Sequence, residues 1–282
     1  MSYPINYPTP QGANVQIFRG GDAGATDIDA FHQATRDWVK PQGASFVWFT
    51  LIGAGGGGGG SMLDSSSSNI YPGGGGASGN VTNFMCPAFL LPDMLQVAVG
   101  RGGLGGTTNG TDNPASPGIS GESTLIIYQQ SKNDAGYTLL TAYGGGGGAG
   151  ASFANGNGGT SPGVNPGGPM VAAGFYNSTA GQTGADGSSL INANGQTFIL
   201  GGNGGYYPNS VVTGYYGYTA TLAGGYSQLS PIPLSIPRAT DDGPTKQGSN
   251  SFGCGGNGGG ITNISNGNGG KGGDGLVIIV TW

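Results

Sequence analysis

Charge is scarce in this sequence of 282 residues: Asp, Glu, Lys and Arg together make up 7 % of it, and there is one His and one Glu. So few acid–base groups leave little from which to build a catalytic apparatus, and the chain is expected to be non-enzymatic, with no cofactor and no metal. Two cysteines are too few for a disulfide scaffold. The eight Lys and Arg stand singly in a chain of net charge −5. That leaves no basic footprint for nucleic acid or anionic lipid, and neither partner is expected. No run of about 18 apolar residues occurs, so no membrane-inserting helix is expected. Residues 1–10 carry neither a basic start nor an apolar core, and nothing marks the chain for export through a signal peptide.

Glycine is what the sequence has instead, at 65 positions, with 17 prolines beside it. Low charge argues against disorder by self-repulsion. Glycine loses more backbone freedom on folding than any other residue, so a folded chain this rich in it must recover the cost through dense backbone hydrogen bonding. The tracts at 55–60, 73–76, 144–148 and 255–260 can be read as linkers, as tight turns, or as polyglycine II, an extended threefold helix with polyproline geometry. Only the last orders the backbone, and a packed layer of such helices, paired N–H to C=O between neighbours, is the preferred reading.

Between the tracts lie short β-branched and aromatic runs that read as strands: residues 46–52 (FVWFTLI), 95–99 (LQVAV), 124–128 (TLIIY), 139–143 (LLTAY), 197–200 (TFIL) and 276–282 (LVIIVTW). In LQVAV the alternation sets Leu95, Val97 and Val99 on one face. FVWFTLI and LVIIVTW are apolar on both faces, as central strands covered on both sides would be. Residues 26–38 admit a short helix behind Thr26 and Asp27 or a strand that pins Trp38 at the core edge, and the strand is preferred. The expected fold is all-β: a sandwich or jelly-roll-like body beside packed polyglycine II-type tracts.

The string WVKPQGASFVWFTLIGAGGGGGG at 38–60, followed by LQVAVGRGG at 95–103, GESTLIIY at 121–128, TAYGGGGGAG at 141–150 and GGKGGDGLVIIVTW at 269–282, resembles the glycine-rich domain of bacteriophage tail fibres and adhesins. The resemblance implies a virion protein, a tail fibre or fibre-tip adhesin, that presents variable loops to a receptor on a bacterial surface, protein or glycan. It implies assembly in the host cytoplasm and residence in the extracellular particle. It covers roughly 38–282 and divides the chain into an N-terminal attachment segment, 1–37, which would dock on another virion protein, and a glycine-rich β domain with variable loops, 38–282. Trimeric fibres make a homotrimer one arrangement and a single-chain tip adhesin the other. The alternative is a structural virion protein, a capsid decoration or fibre shaft component.

Few residues invite a chemical role. His32 has Asp27, Asp29 and Asp37 nearby in sequence, without a motif nucleophile, and reads as a surface or strand-edge residue. Glu122 and an aspartate could form a glycosidase pair, but no pairing signal accompanies them. Asp241 and Asp242 lack the spaced acidic ligands of a calcium loop and read as a solvated turn. GRGGLGG at 100–106 has no following helix and no Lys of a phosphate loop, so it reads as a strand exit. Cys86, in an apolar run, and Cys254, between glycines, are expected to be buried free thiols.

The receptor-binding candidates are aromatic. Tyr206, Tyr207, Tyr215, Tyr216, Tyr218 and Tyr226 crowd one glycine-poor insertion, 206–238, that ends in PIPLSIP. Tyrosine supplies amphipathic contact area with few rotatable bonds, as in antibody loops, although rings packed on the core or on a neighbouring subunit would give the same composition. Phe175 and Tyr176, with the loops at 65–71 and 107–120, are further candidates.

Overall fold

The structure, a computed structural model, describes residues 12–20, 34–66, 69–129, 136–163, 169–191, 197–200, 252–256, 258–259 and 267–282. Among these it is all-β apart from two short 3-10 segments, Ala88–Leu90 and Pro169–Ala173. Two antiparallel sheets make the body. The first runs β1(Asn14–Arg19), β13(Leu276–Thr281), β3(Phe46–Ile52), β6(Val81–Pro87), β10(Phe175–Thr179), and the second β2(Ala34–Val39), β7(Met94–Val99), β8(Thr124–Tyr128), β9(Tyr137–Ala142). Two hairpins stand apart from them, β4(Met62–Asp64) with β5(Asn69–Tyr71) and β11(Ser188–Ile191) with β12(Thr197–Leu200). The TFIL run thus belongs to a hairpin outside the body. β1 and most of β2 fall within the 1–37 stretch, and both are strands of the sandwich.

Alternation explains how the sheets meet. Val47, Phe49 and Leu51 of β3, Val277 and Ile279 of β13, and Leu95, Val97 and Val99 of β7 turn into one shared core. Trp38 of β2, fully buried there, meets Phe49 edge-on with ring centroids 5.8 Å apart. The two doubly apolar runs are neighbours in mid-sheet, and their other faces supply Ile52, Leu276, Ile278 and Val280 to a second cluster that Phe252 and Cys254 join. Cys86 lies in the first cluster and Cys254 in the second, and both are buried and outside any disulfide.

From one end of this body the chain runs out and back in glycine tracts: 53–61, 72–80, 100–107, 115–122, 143–151, 156–163, 181–187, 253–256 with 258–259, and 267–275. They form a polyglycine II lattice. Tract 53–61 shows its threefold rule. The N–H groups of Gly53, Gly56 and Gly59 donate to Asn80, Ala77 and Gly74; those of Ala54, Gly57 and Gly60 donate to Glu122, Ile119 and Ser116; those of Gly55, Gly58 and Ser61 donate to Gly273, Gly270 and Gly267. Its carbonyls accept in the same rotation from 143–151, from 100–107 and from Gly256 and Gly259. One tract therefore sits inside a ring of six, bonded to each.

A helix with three residues per turn presents successive residues to successive neighbours, so a tract enclosed on every side can carry no side chain of size. Tracts 53–61 (GAGGGGGGS) and 72–80 (PGGGGASGN) are buried throughout. Outer tracts carry a large residue at every third place, where the helix faces outward: Arg101, Leu104 and Thr107, or Asn268, Lys271 and Asp274. Each inter-tract hydrogen bond contributes about 1 kcal/mol net, which offsets the roughly 0.5–1 kcal/mol that a glycine costs relative to alanine.

Candidate functional site

The out-and-back path gathers the turns at the lattice end away from the sandwich. Among the described residues these are the β4–β5 hairpin, the loop 108–114, the turn 152–155 and the β11–β12 hairpin. The strands β4 and β5 form because Met62, fully buried, anchors the hairpin on the lattice. Leu63 bridges to Thr111, and its carbonyl accepts the Asp112 N–H at 2.7 Å. The Asp112 carboxylate accepts the Ser65 N–H at 2.6 Å and the Ser65 hydroxyl. Asp64 turns back on its own loop, where Oδ1 accepts the Ser66 N–H at 2.9 Å and the Ser66 hydroxyl at 2.6 Å. Phe153 closes the group, donating its N–H to Met62 Sδ at 3.3 Å. Thr108 donates its N–H to Asn268 Oδ1 at 2.9 Å, tying the 108–114 loop to the last tract.

Backbone strain concentrates here. Among the described residues only Asp112 (φ 63°) and Phe153 (φ 50°) are non-glycine residues in the left-handed region. For Phe this is a genuine outlier, and such strain collects where binding or switching occurs. Phe153 is 54 % exposed. The tip thus offers an aromatic ring, hydroxyls of Ser65 and Thr111, amides of Asn109 and Asn113 and the carboxylate of Asp112, all on a rigid support. That set can stack on and hydrogen-bond an uncharged ligand. No group of three or more His, Cys, Asp or Glu suited to a metal ion occurs among the described residues.

Of the receptor-binding candidates, Tyr206, Tyr207, Tyr215, Tyr216, Tyr218 and Tyr226 lie outside the described residues, as do His32, Asp27, Asp29, Asp241 and Asp242. Phe175 and Tyr176 are on β10, an edge strand of the sandwich and not at the lattice tip. They point to opposite faces. Phe175 is exposed and stacks on Trp48, with centroids 6.1 Å apart, whereas Tyr176 packs against the shared core. Burial raises the Tyr176 phenol above its ordinary range, partly countered by hydrogen bonds with Ser178 and Thr82. Glu122 Oε2 accepts the Arg101 N–H at 3.0 Å. GRGGLGG is more than a strand exit, since it belongs to a lattice tract bonded on three sides. Burial alone pushes the Cys86 thiol up to about 11.

Phe153 escaped the sequence reading because it is a lone aromatic among small residues, and nothing local marks its φ. Trp48 was legible only as part of a strand.

A family profile described as a glycine-rich domain matches residues 30–282. The chain belongs to the glycine-rich domain family. No curated protein matches it. The match begins within four residues of β2 and ends at Trp282, so in this glycine-rich domain the family unit takes in the lattice and every strand of the sandwich except β1.

Proposed function

We propose that this glycine-rich domain is a bacteriophage virion protein, a tail fibre or fibre-tip adhesin, that attaches the particle to a receptor on a bacterial surface and performs no catalysis. The observation that carries this reading is the gathering of the loop turns at one end of the lattice, with Phe153 and Asp112 fixed there in strained conformations. A lattice whose backbone bonds run between tracts holds its turns in place whatever their sequences. Loop composition is then free to set specificity. Display in several copies multiplies a weak contact through effective concentration. The partners in this reading are a bacterial surface protein or glycan at the tip and another virion protein reached through the N-terminal segment, with neither nucleic acid nor membrane insertion involved. A homotrimer would supply the copies.

The test is binding of labelled, tetramerised protein to a panel of intact bacteria. A Phe153→Ser variant and a variant with Tyr206, Tyr207, Tyr215 and Tyr216 changed to Ser are measured beside it. Strain-specific binding that either variant loses while still folded supports the adhesin reading. Absence of binding to every strain of the panel favours a structural virion role.

A further inference from the structure

Asparagine followed by glycine is a reactive pair, because glycine has no side chain to keep its backbone nitrogen away from the asparagine carboxamide. A chain this rich in glycine accumulates such pairs. The sequence holds eight, and the structure describes both members of four: Asn109–Gly110, Asn155–Gly156, Asn157–Gly158 and Asn268–Gly269.

Reaction requires the glycine nitrogen to swing against the carboxamide before it. In three of the four pairs the lattice holds that N–H. Gly156 donates to the Pro72 carbonyl at 2.8 Å... wait-free in the same way, Gly158 donates to Asp186 Oδ1 at 2.7 Å and Gly269 to the Gly106 carbonyl at 2.8 Å. Exposure does not separate the pairs, since Asn109, Asn155 and Asn157 are all exposed. What separates them is the tract, whose polyproline geometry the Asn–Gly peptide would have to leave for the ring to close.

The fourth pair stands outside every tract. Asn109 and Gly110 are exposed in the 108–114 loop at the tip. Gly110 has a φ of 87°, and no atom lies within 4 Å of the place where a β-carbon would stand. The Asn109 side chain is held by Nδ2 donating to the Pro114 carbonyl at 2.6 Å, a bond that is itself exposed.

We propose that Asn109–Gly110 is a self-modification site that ages the lattice tip, while the lattice shields the other three pairs. The Gly110 nitrogen attacks Asn109 Cγ, the new C–N bond closes a succinimide, and ammonia departs with the displaced proton. Water then opens the ring at either carbonyl. One opening leaves aspartate, and the other leaves isoaspartate, whose main chain runs through the former side-chain carbons and is longer by one carbon. Either product puts a second carboxylate in the loop beside Asp112, which already holds Ser65. The isoaspartyl form also lengthens a loop tied at both ends, by Thr108 to Asn268 and by Asp112 to Leu63. A tip suited to an uncharged ligand thereby gains charge and changes shape, and attachment to cells declines with age; that last consequence alone rests on the adhesin reading.

The experiment stores the full chain folded and, in parallel, unfolded in guanidinium chloride, both at mildly alkaline pH. Peptide mass spectrometry maps the exchange of ammonia for water at each pair, and an isoaspartyl methyltransferase marks the isoaspartyl product. Asn109 in the folded protein is expected to convert at least about tenfold faster than Asn155, Asn157 or Asn268, and unfolding is expected to bring the four rates together. Asn109→Gln, whose longer side chain closes the corresponding ring far more slowly, should keep the loop unmodified over the same period. The proposal is overturned where Asn109 in the folded protein reacts no faster than the lattice pairs, or where the unfolded chain keeps the folded ranking, which would make local sequence the cause and not the lattice. Conversion with undiminished binding to cells supports the modification and counts against the adhesin reading of this loop.

Discussion

The α-carbon of Gly57 lies so close to the carbonyl of Leu104 that a β-carbon placed on it would stand 2.1 Å from that oxygen. The same approach recurs along the tract, with 1.9 Å at Gly55 against Cys254 and 2.0 Å at Gly59 against Ala149. These obstacles are backbone atoms held by their own hydrogen bonds, so they cannot give way as a side chain would. The lattice is close-packed backbone.

Gly57→Ala is accordingly expected to destabilise the protein by more than about 4 kcal/mol, in the range reserved for severe packing defects. Gly163→Ala, where nothing lies within 4 Å of the added carbon, is the control. Equal melting temperatures for the two variants would contradict a lattice packed in this way.

Insertions probe the threefold phase. One glycine added after Gly57 rotates the remainder of the tract by about 120°, so that every later N–H faces the wrong neighbour. Three added glycines restore the phase and displace the excess to the tip. Chemical denaturation should show the single insertion to be the more damaging, although it adds less chain.

Phe153→Gly should relieve the left-handed strain and stabilise the fold by about 1 kcal/mol, while removing the exposed ring. Under the adhesin reading this variant melts higher and binds cells less. A melting temperature that falls would mean that the ring contributes more to packing than its backbone conformation costs.

The Cys86 thiol, at about 11 against an ordinary 9.0, stays neutral in the fold. Between these values the unfolded chain is the more deprotonated, so stability is fully present below pH 9 and falls as pH rises toward 11. Denaturation midpoints for the parent and for Cys86→Ala should converge across that window. Below it, a thiol reagent at pH 8 should label Cys86 only as fast as the protein opens.

Much of the sandwich was readable from local pattern. The alternation in LQVAV set Leu95, Val97 and Val99 inward, and the doubly apolar FVWFTLI and LVIIVTW lie side by side in mid-sheet, covered on both faces except at Phe46, which is exposed, and Trp48 and Trp282, which are half-buried. Trp38 proved to be deep in the core and not at its margin, because β7 pairs with β2 and Phe49 closes over the ring. The candidate site was harder to read. Phe175 and Tyr176 looked alike in sequence, and only the facing direction of β10 separates an exposed ring from a buried one.

By itself the sequence determined that the chain is all-β, that its glycine must be ordered by backbone bonding, and that it carries the marks of a glycine-rich domain. Even the inner and outer tracts are inscribed in it, through the presence or absence of a large residue at every third place. What tertiary structure alone decided is which tract bonds which. The Ser61 N–H and hydroxyl both meet the Gly267 carbonyl, 206 residues away, but the two bonds before it in the same tract, Gly58 to Gly270 and Gly55 to Gly273, join glycine to glycine with no side chain to name the partner. Side chains encode pairing through shape and charge, and glycine has none, so the strands at the tract ends must set the alignment. The gathering of the turns and the strain at Phe153 follow from that long-range docking.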